Sequence, residues 1–276
     1  MIVEPAPAKL NLALHVRRRR EDGYHELETL FAFVADGDVL SLAEAECDRF
    51  EIVGPFAGGL TPDGDNLVTR ARDAFARDVA ALPPLAITLD KRLPVASGIG
   101  GGSADAAAML RAAARLADVV TDDPRLMAVA AALGSDVPAC LLGRTAFGAG
   151  RGEDLRVVEG LAGRPVVLVN PNVAVPTAPV FGRWDGVDRG PLPGGDAWSV
   201  ATLGRNDLFV PAKLIAPVIG EVVDALDRLD GAVLVRMSGS GATCFAVFND
   251  PDACRAGAYA IRAAYPAWWC LETALV

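Results

Sequence analysis

The chain has 276 residues, of which 52% are hydrophobic and 22% charged, and a formal net charge of −9. That composition excludes a disordered chain and argues against a nucleic-acid partner, whose phosphates want a basic face. Five scattered cysteines without C-x-x-C spacing, and only two histidines, speak against a disulfide framework or a zinc site and fit a reducing cytoplasm.

The length suits one large domain or two smaller ones. Glu4 and Lys9 interrupt the start before any apolar run, so no signal peptide is expected. The longest near-continuous apolar stretch, Leu126 to Leu133, is too short to span a membrane. Residues 1–16 alternate imperfectly, which predicts a half-buried strand with Lys9 and Asn11 on one face; a solvated edge strand fits the same pattern. The basic run Arg17 to Arg20 meets Glu21-Asp22 and reads as a solvated turn. Asp22-Gly23 turns the chain and presents Tyr24 beside His25, an aromatic face and an imidazole able to stack on and read a base, or an aromatic packed at a turn. Short strands are expected over Asp38 to Leu42 and Phe50 to Val53, then a helix opened by Asp65-Asn66 with Val68, Ala71, Phe75 and Val79 at helical spacing.

Strand-like Leu85 to Leu89 leads through Asp90-Lys91-Arg92-Leu93-Pro94 into Val95-Ala96-Ser97-Gly98-Ile99-Gly100-Gly101-Gly102-Ser103. Glycines at that density let backbone approach a ligand closely. Ser103 reads as the N-cap of an alanine-rich helix over Ala104 to Ala117, whose free N–H groups and positive dipole end suit a phosphate. No Gly-Lys-Ser/Thr follows, so this is not a Walker A loop, and Ser103 replaces the third glycine of a dinucleotide fingerprint. Asp105 reads as a first-turn partner for that dipole. A second helix runs from Pro124 to Leu133 and ends at Gly134. Asp136 follows at a break between apolar segments, either capping the next one or serving as a catalytic carboxylate.

A composition shift near residues 153–164 predicts a boundary between an N-terminal domain, 1–157, and a C-terminal domain, 158–276. The second begins with a strand over Arg164 to Val169. A mobile loop is expected over 182–199, with five glycines and two prolines, then a helix or helix pair over Pro211 to Leu229. Strands over Ala232 to Met237 and Ala242 to Phe248 flank the turn Ser238-Gly239-Ser240-Gly241; a helix from Asp250-Pro251 to Tyr265 and a last strand over Trp268 to Val276 follow. Strands and helices alternate in both halves, which indicates an α+β protein of two domains.

Three separated motifs, Pro7-Ala8-Lys9-Leu10-Asn11-Leu12, Leu93-Pro94 with Gly98 to Ser103, and Met237-Ser238-Gly239-Ser240-Gly241-Ala242, together resemble the superfamily of galactokinase, homoserine kinase, mevalonate kinase and phosphomevalonate kinase. Asp22-Gly23-Tyr24-His25, Asp65-Asn66-Leu67, Asp90 to Pro94, Gly134 to Pro138 and Asn206-Asp207-Leu208 are similar to its branch acting on a cytidine diphosphate derivative of methylerythritol, in the non-mevalonate route to isoprenoid precursors. The resemblance implies a ribosomal-protein-S5-like N-terminal domain, a ferredoxin-like C-terminal domain and a site in the cleft between them. It also implies ATP with Mg2+ as cofactor, a small-molecule substrate carrying cytidine diphosphate, no membrane partner, and a monomer or homodimer. Lys9 and Asp136 are then the catalytic pair. Pro94, Ser97, Gly98, Gly100, Gly101, Gly102, Ser103, Ser238, Gly239 and Gly241, with Asn66 and Lys91, fall on the nucleotide. Asn11, Tyr24, His25, Thr177 and Phe181 fall on the substrate, and no protein side chain is assigned to the metal. Ala104 stands where this family commonly has a second serine. A related kinase for homoserine or a mevalonate derivative, and a noncatalytic nucleotide sensor, are the alternatives; Gly23-Tyr24-His25 opposes the first, and Lys9 with Asp136 the second.

Overall fold

The structure, a computed structural model, describes residues 1–62 and 65–276, which divide into two compact units. The first unit is Met1–Ala8, Asp36–Val95 and Gly100–Gly143. It holds the start of β1 (Ile2–Arg19), the end of β2 (His25–Glu44), β3 (Arg49–Val53), α1 (Leu67–Asp78), β4 (Leu85–Asp90), α2 (Gly101–Leu116), α3 (Pro124–Leu133) and α4 (Val137–Leu142). β4 pairs antiparallel with Val39 to Glu44 of β2 and parallel with β3. Its alternate residues Leu85, Ile87 and Leu89 are buried, as the period of a strand requires.

Local signals explain the helices of this unit. Asn66 caps α1 by accepting from the Val68 amide, and Val68, Ala71 and Phe75 form the inward stripe. Asp123 caps α3, Pro124 opens it and Gly134 closes it. α2 begins three residues before the expected Ala104: Gly100, not Ser103, is its N-cap, and Ser103 lies inside the first turn. A left-handed glycine (φ 65°) bends the chain into the helix there, and no side chain caps it. Ala104 to Leu110 are all buried, which small alanines permit because neighbouring backbones can approach closely.

The second unit is Lys9–Ala35, Ala96–Ile99 and Arg144–Val276. It holds the rest of β1 and β2, then β5 (Ala146–Ala149), β6 (Asp154–Val157), β7 (Pro165–Asn170), α5 (Thr177–Gly182), α6 (Ala197–Leu203), α7 (Phe209–Ile215), α8 (Val218–Asp227), β8 (Ala232–Met237), β9 (Cys244–Phe248), α9 (Pro251–Ala264) and β10 (Trp269–Ala274). β5 pairs with Thr29 to Phe31 of β2 and forms a hairpin with β6. The other sheet is antiparallel with order β10-β7-β9-β8, the arrangement of a ferredoxin-like fold. Its core includes Val167, Val169, Ala246 and Phe248 with Ile219, Val222 and Leu226 of α8 and Ile261 of α9.

Two expectations change here. Ile2 to Pro7 of β1 alternate as a half-buried strand does, but Ala8 to Val16, with Lys9 and Asn11 among them, are buried on both faces. The 182–199 stretch is not a free loop. His15 Nδ1 meets the Pro191 carbonyl at 3.0 Å, Arg17 pairs with Asp188 at 3.0 Å, the Leu192 amide donates to Glu28 at 2.8 Å, and α6 starts at Ala197 with Asp196 as its cap. These anchors are charged or polar and distant in sequence, which the glycine count does not register. All five cysteines are free, and no helix among the described residues is long and apolar enough to cross a membrane.

Candidate active site

Three segments far apart in sequence converge in the second unit. The Lys9 amide donates to the Ile99 carbonyl at 2.9 Å. The Asn11 amide donates to Ser238 Oγ at 3.1 Å, and that hydroxyl donates to the Gly98 carbonyl at 3.0 Å. The Thr243 amide donates to the Ser97 carbonyl at 3.0 Å. Glycine is required at this meeting: a Cβ at Gly98 (φ 78°) would stand 2.6 Å from the Gly241 and Ser238 carbonyl oxygens, and one at Gly239 (φ 55°) 2.7 Å from the Gly98 oxygen. Asn206 secures the turn by donating to the carbonyls of Met237 and Gly239, both at 2.8 Å.

The Lys9 and Asn11 side chains are almost fully buried here. Lys9 Nζ donates to Asn11 Oδ1 at 2.8 Å and lies 5.5 Å from the Phe31 ring centroid. Asn11 Nδ2 donates to Thr29 Oγ1 at 2.8 Å, and Thr29 donates to the Ala13 carbonyl at 2.7 Å. Every member of that chain is oriented by the next, so the amide oxygen of Asn11 is held toward the ammonium. Arg236 is half-buried and has no carboxylate partner among the described residues. Its guanidinium donates to the carbonyls of Leu12, Ala201 and Gly204, and burial lowers it to about 10, which still leaves it cationic at neutral pH. Nothing in the local sequence marks Thr29 or Arg236, because every partner named for them lies 16 or more residues away.

The expected base-recognition residues separate into two settings. His25 is buried and packs against Phe181 at 5.0 Å and edge-on against Trp184 at 5.7 Å. Burial, followed by the like charge of Arg19, lowers its pKa, so the ring is neutral at pH 7, with one nitrogen a donor and the other an acceptor. Tyr24 is instead 54% exposed, and the Arg151 guanidinium lies 5.0 Å from its ring centroid. Thr177 and Phe181 share α5, and Thr177 Oγ1 is 3.1 Å from Ser240 Oγ, which ties that helix to the 238–241 turn. Sequence reasoning missed Trp184, whose buried indole Nε1 makes no hydrogen bond.

The first unit holds the remaining candidates. Gly102 stands where a Cβ would be 3.5 Å from Leu67, so the starts of α1 and α2, and with them Asn66 and the uncapped Gly101 to Ser103 turn, are neighbours. Pro94 lies in the segment entering that turn. Asp136 stands at the start of α4, but its carboxylate does not cap the helix. Lys91 is buried, paired with Asp38 and, at 2.8 Å, with Asp105. Asp105 is therefore not a first-turn dipole partner: it is the fifth residue of α2, inside the unit. Burial pushes the Asp105 carboxyl up to about 7 against the opposing pull of Lys91, while burial of Lys91 is outweighed by the two carboxylates and its pKa rises.

Residues 66–144 match the model of the N-terminal domain of GHMP kinases, and residues 199–267 the model of the C-terminal domain. The chain belongs to the GHMP kinases, small-molecule kinases built on this α+β fold. A homoserine kinase structure from Cytophaga hutchinsonii shares the fold at TM-score 0.73 and 18% identity, covering 99% of this chain and 94% of the other. Within the family the chain belongs with the 4-diphosphocytidyl-2-C-methyl-D-erythritol kinases. The protein of that name from Rhizorhabdus wittichii is 53% identical over 99% of this chain and 94% of its own length. A crystal structure of 4-(cytidine 5'-diphospho)-2C-methyl-D-erythritol kinase is 35% identical, covers 99% of both chains and superposes with TM-score 0.77.

Proposed function

We propose that the chain transfers the γ-phosphoryl group of ATP to the 2-hydroxyl of 4-diphosphocytidyl-2-C-methyl-D-erythritol. The identity of about half with full-length kinases of that name supports the reaction. The convergence of residues 9–11, 97–99 and 238–243 supports the roles of individual residues. In sequence order we place the domain division at residue 157, where β6 ends before β7 opens the second sheet at Pro165.

Phosphoryl transfer depends on in-line placement and charge stabilisation more than on covalent chemistry. The uncapped N-terminus of α2 and the glycines before it supply N–H donors for ATP phosphates. Asp136 orients the attacking hydroxyl and takes its proton late, because a carboxylate is too weak a base to remove it beforehand. Lys9, held by Asn11, offsets negative charge developing on the transferred group. Neutral His25, packed against Phe181, reads the polar edge of cytosine, and the exposed ring of Tyr24 is free to stack on the base.

Among the described residues no three His, Cys, Asp or Glu side chains cluster as a metal cage. Mg2+ would arrive with ATP, bound largely by phosphate oxygens and water, and the hydroxyl of Ser103 at the start of α2 would be an oxygen donor to it. When bound, the ion withdraws charge from the β- and γ-phosphates. The deciding experiment is a coupled ADP-release assay with Mg-ATP that compares the cytidine diphosphate substrate with homoserine and mevalonate. Turnover with the first alone is expected; turnover with another alcohol alone refutes the assignment of Tyr24, His25 and Phe181.

A further inference from the structure

We propose that Asp38 and Asp105 are positioning residues which, joined through Lys91, clamp both ends of the glycine loop and thereby set affinity for ATP. The proposal rests on the kinase reading of that loop. At the loop's entrance, Asp38 Oδ1 accepts the Arg92 amide at 2.6 Å and the Leu93 amide at 2.8 Å, while Oδ2 accepts Lys91 Nζ. At its exit, the same ammonium donates to Asp105 Oδ2 at 2.8 Å, on α2. The ammonium also lies so close to the first residue of α2 that a Cβ on Gly101 would come within 3.0 Å of Nζ and 3.6 Å of Asp38 Oδ2. Three ionisable side chains, all at most 4% exposed, thus fix residues 91–93 to residues 101 and 105.

Two physical arguments point to a role beyond holding the fold. Burying a cation with two carboxylates costs desolvation that the ion pairs commonly fail to recover, so stability alone does not account for the cluster. Asp105 Oδ1 is buried with no hydrogen-bond partner, a further cost. The loop it spans, in turn, is rich in glycine, and Gly98 and Gly100 adopt positive φ. Such a chain has many alternative conformations, and a loop that must present several N–H groups to phosphates binds weakly unless those conformations are removed beforehand. Fixing both ends removes them without placing a side chain in the loop.

The test uses the full chain. Asp38→Ala, Asp38→Asn and Asp105→Ala are compared with the parent by thermal melting, by titration calorimetry with a non-hydrolysable ATP analogue, and by steady-state ADP release. Asp38→Ala is expected to raise Kd and KM for ATP about tenfold or more, with KM for the cytidine substrate within about twofold. Asp38→Asn, whose amide oxygen can accept the same two backbone N–H groups, should recover most of that loss. A folded Asp38→Ala protein that binds the analogue within about twofold of the parent overturns the clamp, as does a loss equal for both substrates. If Asp38→Ala does not fold, Asp105→Ala, which removes the acceptor for Lys91 on α2, decides in the same way: weaker ATP binding supports the clamp and unchanged binding refutes it. Absence of turnover in the parent with the cytidine substrate would sink the kinase assignment instead, and the calorimetry would still decide the clamp.

Discussion

Replacing Asp105 by Asn should change how stability depends on pH, and the direction follows from its surroundings. The Asp105 carboxyl is 3% exposed, and burial pushes it up to about 7 although Lys91 is 2.8 Å away. In the unfolded chain it titrates near 3.9. Between those values the native state holds a proton that the unfolded state has released, so stability falls as pH rises from about 4 to about 7. Lys91 is shifted upward, so its own contribution is complete below its unfolded value near 10.4 and is lost only above it, outside this window. A separation of about 3 pH units at about 1.4 kcal/mol each gives an upper bound of about 4 kcal/mol. Asn has the same shape and no proton to release, so the variant lacks this slope, while Asp38 and Lys91 remain in both proteins. Urea denaturation of parent and variant at pH 5 and pH 8 is the assay. The stability difference should move toward the variant by a few kcal/mol at the higher pH. Curves that stay parallel within about 0.5 kcal/mol would show that Asp105 is already ionised at pH 5 in the native protein and refute the reasoning.

Asp136→Asn should keep the fold and ATP affinity while turnover drops roughly 10²–10⁴-fold, checked by single-turnover kinetics; near-normal turnover removes Asp136 from the mechanism. Gly98→Ala places a methyl 2.6 Å from two carbonyl oxygens at a positive φ, and should lower the melting temperature and abolish activity together. Tyr24→Ala should weaken the cytidine substrate and leave ATP affinity alone; equal weakening of both would count against its placement at the base. Trp184→Ala should raise the pKa of His25, whose downward shift comes first from burial, and weaken the cytidine substrate, whereas Trp184→Phe keeps the packing and loses only an unbonded N–H. With two histidines in the chain, proton NMR resolves the titration, and an unmoved His25 pKa in Trp184→Ala contradicts the role.

Features written in a few adjacent residues were legible without coordinates. Asp123-Pro124 and Gly134 bound α3 at its observed limits, Asn66 caps α1, and β7, β8, β9 and β10 lie on the strand-like runs after residue 164, whereas the ferredoxin-like order of that sheet was implied only by the family resemblance. Such signals are local: a cap, a proline at the first helical position or a period of two acts through the residue's own backbone and nearest neighbours. The spaced motifs likewise pointed to a kinase site before any contact was visible. Only the tertiary structure decided where charge could be buried. Lys91 joins Asp38, 53 residues before it, to Asp105, 14 after it, an internal cluster that the local sequence does not announce. Ser103 reads as a cap, yet Gly100 starts the helix, because a left-handed glycine makes the turn without a side chain. Burial on both faces of β1 and the anchoring of residues 188–192 also come from partners distant in sequence. Residue type records a preference for water or for a neighbour, but which neighbour is present depends on the packing of the whole unit.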